Sequence, residues 1–149
     1  MKNNSRKKFI LVKSIKGWSM APLIKPGDDL LVNCQNRNYH VGNIVIYYQK
    51  SKLVVHRIIK IKKNQFLLKG DNRLFADGWF EAKIILGLVE KIFSPKYEID
   101  LTTRKNKISA YLFTFYSLSN QYFNFLLNLR KLYKIPFLKK IYKKMIQFT

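Results

Sequence analysis

Three separated stretches carry residue types that together can break an acyl bond. The first is Gly17-Trp18-Ser19-Met20-Ala21-Pro22-Leu23-Ile24-Lys25-Pro26-Gly27-Asp28, a small-residue and proline turn bearing one serine. A serine hydroxyl is a poor nucleophile unless a base takes its proton and a third group orients that base. The second stretch, Val54-Val55-His56-Arg57-Ile58-Ile59, sets one histidine in a β-branched run. An imidazole, with an ordinary pKa of about 6.5, accepts a proton at neutral pH and returns it to a leaving amine. The third, Lys69-Gly70-Asp71-Asn72-Arg73-Leu74-Phe75-Ala76-Asp77, places two carboxylates on a turn. Asp77 can hold the imidazole in one tautomer, and Asp71 can do the same. The backbone N–H of Ser19 is placed to meet the oxyanion that forms on a carbonyl attacked by its hydroxyl.

The elements around these stretches read as short strands. Lys8 to Ile15 suggests a first strand that ends at Gly17. Pro22 and Pro26 forbid ladder bonding through the serine turn, and Asp29 to Asn33 reads as the next strand. Ile44 to Tyr48 follows after a polar loop, then Leu53 to Lys62, whose period of two puts Val54, His56, Ile58 and Lys60 on one face and Arg57 on the other. Gln65 to Leu68 is a short strand, residues from the Gly70-Asp71 turn to Phe80 form a loop, and Lys83 to Phe93 is a further strand with a bulge expected at Gly87. Ser94-Pro95 closes it. The fold class expected is therefore mainly β, a compact domain of short strands over residues 8–101, with a basic tail at 1–7 and a helical extension at 102–149.

Composition bounds the partners. The chain has 149 residues and a net charge of +21, with all eight carboxylates between Asp28 and Asp100. Such a field attracts anionic surfaces, nucleic acid or lipid, without specifying a fold. Cys34 is the only cysteine, so neither an internal disulfide nor a thiolate metal site is available, and it is expected as a small buried apolar residue. His40 is expected as a loop histidine, neither ligand nor base. No metal and no cofactor are expected. The apolar run Phe9-Ile10-Leu11-Val12 is too short for a secretory core or a span, so no membrane anchor is expected ahead of Ser19.

From Tyr111 to Leu129 the polar residues Thr114, Ser117, Gln121, Asn124 and Asn128 recur at helical spacing opposite an aromatic and aliphatic face. After Pro136, Phe137, Leu138, Ile141, Tyr142, Met145 and Ile146 form one face while Lys139, Lys140, Lys143 and Lys144 form the other. A basic amphipathic helix rich in aromatics suits an anionic membrane, so lipid rather than nucleic acid is the expected partner. The expected location is at a membrane, peripheral or through one weak C-terminal span. Basic residues flank 108–129 at both ends, so charge does not set which side of the membrane the domain faces.

The ordered boxes Gly17-Trp18-Ser19-Met20-Ala21-Pro22 through Gly27-Asp28, Val41-Gly42-Asn43-Ile44-Val45, Val55-His56-Arg57, Lys69-Gly70-Asp71-Asn72 with Asp77, and Ile85-Leu86-Gly87-Leu88-Val89 resemble the motifs of type I signal peptidases and their relatives, over residues 8 to 93. The resemblance implies a mostly β fold and an endopeptidase that cuts after small residues in an extended peptide laid along a strand edge. Relatives of the main bacterial and self-cleaving repressor branches use a lysine where this chain has His56. The histidine resembles the endoplasmic-reticulum, archaeal and spore-former branch, which implies Ser19 as nucleophile, His56 as base and Asp77 as the orienting carboxylate, with Asp71 an alternative or a support. Met20 and Pro22 would shape the turn.

The chain departs from that pattern in three places. Gly17 stands where many relatives carry a hydroxyl that helps hold the oxyanion. The membrane helix usual just ahead of the serine is not expected here. The C-terminal helices are an addition, and are expected to anchor the protein in its place. Two other readings remain: self-cleavage, disfavoured because the residues before Ser19 hold no Ala-Gly or Cys-Gly pair, and a catalytically silent adaptor that binds membrane or nucleic acid through its basic surface.

Overall fold

The structure, a computed structural model, describes residues 8–108, 110–112, 114, 115 and 118. The basic tail and the lysine face of the C-terminal extension lie outside the described residues. The described residues build eight strands, all paired antiparallel: β1 (Phe9–Val12), β2 (Asp29–Asn33), β3 (Ile44–Gln49), β4 (Lys52–Lys62), β5 (Gln65–Lys69), β6 (Gly78–Glu81), β7 (Ile85–Ser94) and β8 (Tyr97–Asp100), with a 3-10 turn at Ala82–Ile84. The mainly β class is as expected. The sheet runs β1-β2-β7-β3-β4-β5-β6, with β8 paired to β7.

Strand β3 explains why the sheet buries both faces. Its Ile44 and Ile46 pack into one cluster with Met20, Ile24, Leu30, Val32, Val55, Val89 and Ile92. The alternate residues Val45 and Tyr47 pack into a second with Tyr39, Ile58, Phe66, Leu68, Ile85 and Leu88. A strand with a core on each side reads as a continuous apolar run rather than an alternation. Strand β4 continues this, with Val55 on the first cluster and Val54 and Ile58 on the second.

Four expectations change. Lys60 does not share a face with Val54, His56 and Ile58: the register of β4 against β5 slips between Ile58 and Lys60, and Ile61 takes the inward position while Lys60 is exposed. The loop expected up to Phe80 contains β6, where Phe80 and Trp79 pair with Phe66 and Leu67. Chain beyond Ser94-Pro95 turns back as β8, with Ser94 opposite Tyr97. Cys34 is only half-buried, at the margin of the first cluster.

Gly87 sits beside a bulge, since β3 pairs Ile46 with Gly87 and then Tyr47 with Ile85, leaving Leu86 unmatched. A second constraint also acts on it: a Cβ here would lie 2.6 Å from Val32 Cγ1 and 2.8 Å from the Asn33 carbonyl oxygen. Past β8, Thr103 caps a helix starting at residue 104; its Oγ1 accepts from the Asn106 N–H at 3.3 Å and its carbonyl from the Lys107 N–H at 2.9 Å. Thr114, on the predicted polar stripe, is buried and donates to the Ala110 carbonyl at 2.8 Å.

Candidate functional site

The serine turn is tied down at both ends. Ile15 N–H donates to the Asp28 carbonyl and Gly27 N–H to the Ile15 carbonyl, each at 2.9 Å, so the segment leaves and re-enters the sheet at one place. Inside it, Ala21 N–H reaches the Trp18 carbonyl at 3.1 Å and Ile24 N–H the Met20 carbonyl at 3.0 Å, across a cis Ala21-Pro22 bond. Met20 and Ile24 are buried in the first core cluster. The turn thus hangs from two apolar anchors, and Ser19, next to one of them, is half-exposed. Asp28 is buried; it accepts from the Lys25 N–H at 2.8 Å and from the Ser94 hydroxyl, which fastens the turn to the end of β7.

The Lys69-to-Asp77 stretch clasps this turn from the other side. Asn72 N–H donates to the Ser19 carbonyl at 2.8 Å and its side-chain amide to the Trp18 carbonyl at 3.3 Å. Gly70 is required by close approach. A Cβ added to it would stand 2.7 Å from the Ser19 carbonyl oxygen and 2.8 Å from His56 Nε2. Two parts that the sequence keeps far apart, the serine turn and the imidazole edge, therefore flank one point above a glycine.

His56 is buried on β4, and its Nδ1 contacts Asp77 Oδ2. A carboxylate only accepts, so Nδ1 carries a hydrogen, and in the neutral form of the ring Nε2 keeps a lone pair. Asp77 reaches the imidazole because Asp77 N–H donates to the Leu68 carbonyl at 2.8 Å, which pins the chain just before β6. Burial pushes the Asp77 carboxyl up, but the hydrogen bond and charge of His56, the Tyr47 hydrogen bond and the charge of Arg73 outweigh it and hold the group below its ordinary value.

Asp71 is not at the imidazole. It is fully buried and takes a two-pronged ion pair from Arg57, Nε to Oδ1 at 2.8 Å and Nη2 to Oδ2 at 2.7 Å, while Arg57 Nη1 donates to the Gly42 carbonyl at 2.7 Å. Successive residues of β4 thus serve opposite faces, His56 toward Asp77 and Arg57 toward Asp71, as the period of two requires. His40 is exposed on its loop, outside this constellation.

Two participants escaped the sequence reading. Tyr47, fully buried on β3, donates its hydroxyl to Asp77 Oδ2 at 2.9 Å and lies 3.2 Å from His56 Nδ1. Register is the only signal for it: Val45 pairs with His56, which makes Tyr47 the diagonal neighbour of the imidazole on the same face. Burial, then the charge and hydrogen bond of Asp77, push its phenol above the ordinary range. Lys69, buried at the end of β5, donates to the Gly70 carbonyl at 3.2 Å; burial lowers its amine, with Asp71 and Asp77 opposing.

Ser19, His56, Asn72 and Arg73 open onto one groove of about 670 Å³. Its far wall is the chain from Val12 to Gly17, continuing β1, and its near wall is Leu53 to His56 at the start of β4. Strand β5 pairs with β4 only from Arg57 onward. Among the described residues, no strand therefore pairs with the groove side of β4 before Arg57. The groove carries an unpaired strand edge, which is what an extended peptide needs in order to add as a strand.

A family model described as Peptidase S24-like matches residues 2–89, a span that holds every residue lining the groove. No curated protein matches the chain.

Proposed function

The chain belongs to the Peptidase S24-like family, within a serine peptidase superfamily, and from that premise we propose that it is a serine endopeptidase of the signal peptidase I type that cleaves leader-like peptides after small residues. Ser19 is the nucleophile, His56 the general base, Asp77 the orienting carboxylate and the Ser19 N–H an oxyanion donor. The observation that carries this reading is the two-sided imidazole: Nδ1 is held by Asp77, and Nε2 faces the point it shares with the Ser19 carbonyl.

In this mechanism the peptide lies extended between the Lys13-to-Lys16 segment and the free edge of β4. Ser19 Oγ attacks the scissile carbonyl carbon as His56 Nε2 takes the hydroxyl proton. The C=O electron pair moves to oxygen and is met by the Ser19 N–H. Collapse of the tetrahedral adduct breaks the C–N bond, and His56 gives its proton to the leaving amine. Water, deprotonated by the same nitrogen, then releases the acyl group and restores Ser19. Asp77 stays ionised and stabilises the imidazolium that forms twice in the cycle.

The test is turnover of a peptide library with small residues at the cut site, in detergent or liposomes, by wild type and by Ser19→Ala over pH 5 to 9. The expected result is turnover that Ser19→Ala abolishes and that falls off on the acid side. A rate that rises only at alkaline pH would point to an amine base such as Lys69 and overturn the role of His56. No cleavage with anionic liposome binding intact would favour the adaptor.

The same family supports a second reading, a self-cleaving enzyme akin to repressors. A histidine at the base position, where that branch resembles the main bacterial one in using lysine, favours cleavage of a separate substrate. Intact mass of the pure protein on incubation at pH 7 to 9 separates the two, since self-cleavage yields fragments that Ser19→Ala does not.

A further inference from the structure

We propose that Tyr47 is a positioning residue for the proposed hydrolysis, acting through Asp77: its hydroxyl is the second donor that locks the carboxylate against the imidazole. The inference rests on the serine peptidase reading above. Its geometric core, a phenol bound to the carboxylate, stands apart from that reading.

The phenol has one proton to give. Directed at His56 Nδ1, it would make that nitrogen an acceptor, put the ring hydrogen on Nε2 and leave no lone pair for the Ser19 proton. Directed at Asp77 Oδ2, it leaves Nδ1 to donate to the same oxygen and Nε2 free to accept. The distances favour the carboxylate, at 2.9 Å against 3.2 Å for Nδ1. The ring cannot swing away, because Tyr47 is fully buried in the second core cluster and packs against Phe80 of β6, with centroids 5.2 Å apart. The fold therefore presents a rigid donor to a carboxylate that sits on a loop.

The charged and titratable groups around Asp77 come from every neighbouring element: His56 from β4, Tyr47 from β3, Lys69 from β5, and Asp71 and Arg73 from the intervening turn. Asp71 is neutralised by Arg57 on the opposite face of β4. Arg73 is exposed, so solvent screens its charge. Besides the imidazole, Tyr47 is the neighbour that gives Asp77 a hydrogen bond from inside the core. Removing it leaves a half-buried anion with one donor fewer, free to turn about its own bond.

Tyr47→Phe keeps the ring and removes only the hydroxyl. We expect kcat to fall about 10-fold or more, the worth of one hydrogen bond to a charged group, with KM unchanged. The acid limb of the pH profile, a property of the coupled imidazole and carboxylate, should move toward neutrality by about half a pH unit or more. A titration of the Asp77 carboxyl by carbon-13 NMR should move the same way, and it reads the contact whether or not any peptide is cleaved. In an Asp77→Asn background the Tyr47→Phe change should cost no further activity. If Tyr47→Phe does not fold, carbon-13-labelled tyrosine in the wild type serves instead: the Tyr47 phenol should ionise at lower pH in Asp77→Asn. A lowered Tm with an unmoved acid limb and carboxyl midpoint would mean that Tyr47 only packs, and would overturn the inference. Absence of turnover in the wild type would overturn the peptidase reading and leave the NMR result to decide this one.

Discussion

The carboxylate that matters to the imidazole is set by which way one strand's side chains point. Asp71 and Asp77 lie on the same turn, yet the first neutralises Arg57 and the second holds His56. Substitution should separate them. Asp77→Asn is expected to cut kcat by about 10²- to 10⁴-fold while leaving the protein folded, because the imidazole loses its tautomer and the partner for its charge. Asp71→Asn should act on stability instead: a buried Arg57 without its carboxylate costs about 3–5 kcal/mol, read as a lower midpoint in urea. Gly70→Ala is a third case, since its methyl would displace either the Ser19 carbonyl or the imidazole. A shift near 1 Å at a reacting group costs about 10²-fold, so kcat should fall while the melting curve moves little. The pH dependence has a definite sign. Asp77 is held below its ordinary value, so what its ionised form contributes is present above that value and fades as pH falls through the folded one. Stability and turnover should therefore both weaken on the acid side. The sequence offered both aspartates for one role, because it records the order of residues and not the direction of their side chains.

Among the elements, β4 does two things along its length. It pairs with β3 up to Arg57 and with β5 from Arg57 onward, so before Arg57 its other side is an edge beside the groove. If substrate adds as a strand there, alternate N–H groups of the substrate must pair with β4, so N-methylation of a residue whose N–H faces β4 should raise KM sharply, while methylation of its neighbour, whose N–H faces away from β4, should not. Equal affinity for both peptides would end the strand-addition reading. The interior strands β2 to β5 were legible because their apolar runs are dense and bounded by turns. Strands β6 and β8 were not. The segment Gly78-Trp79-Phe80-Glu81 starts on a glycine at φ 125° and carries little β-branched signal, and β8 exists only because Pro95-Lys96 lets the chain turn back along β7. Edge strands borrow their conformation from a neighbour, so local propensity understates them. The slip that turns Lys60 outward and Ile61 inward is likewise a property of pairing with β5, not of β4 alone.

At the scale of the molecule the excess of positive charge remains the least specific property and the most easily tested. Among the described residues, no helix is long and apolar enough to cross a membrane. We propose surface attachment to anionic lipid through the C-terminal extension. The full chain should sediment with phosphatidylserine vesicles at low salt and detach as salt rises, and replacing Lys139, Lys140, Lys143 and Lys144 by Gln should weaken binding by about 1 kcal/mol per charge. Retained binding in that variant would move the attachment to the exposed apolar residues of the described domain, Trp18 and Phe75 among them. The sequence by itself determined the mainly β class and offered Ser19, His56 and two aspartates as candidates on their turns, because strand pattern and residue type are local properties. Only the tertiary structure decided which aspartate meets the imidazole, that Tyr47 joins it, and that the serine turn and Gly70 share one point. Those are contacts between residues distant in sequence, and strand register and core packing, not local preference, bring them together.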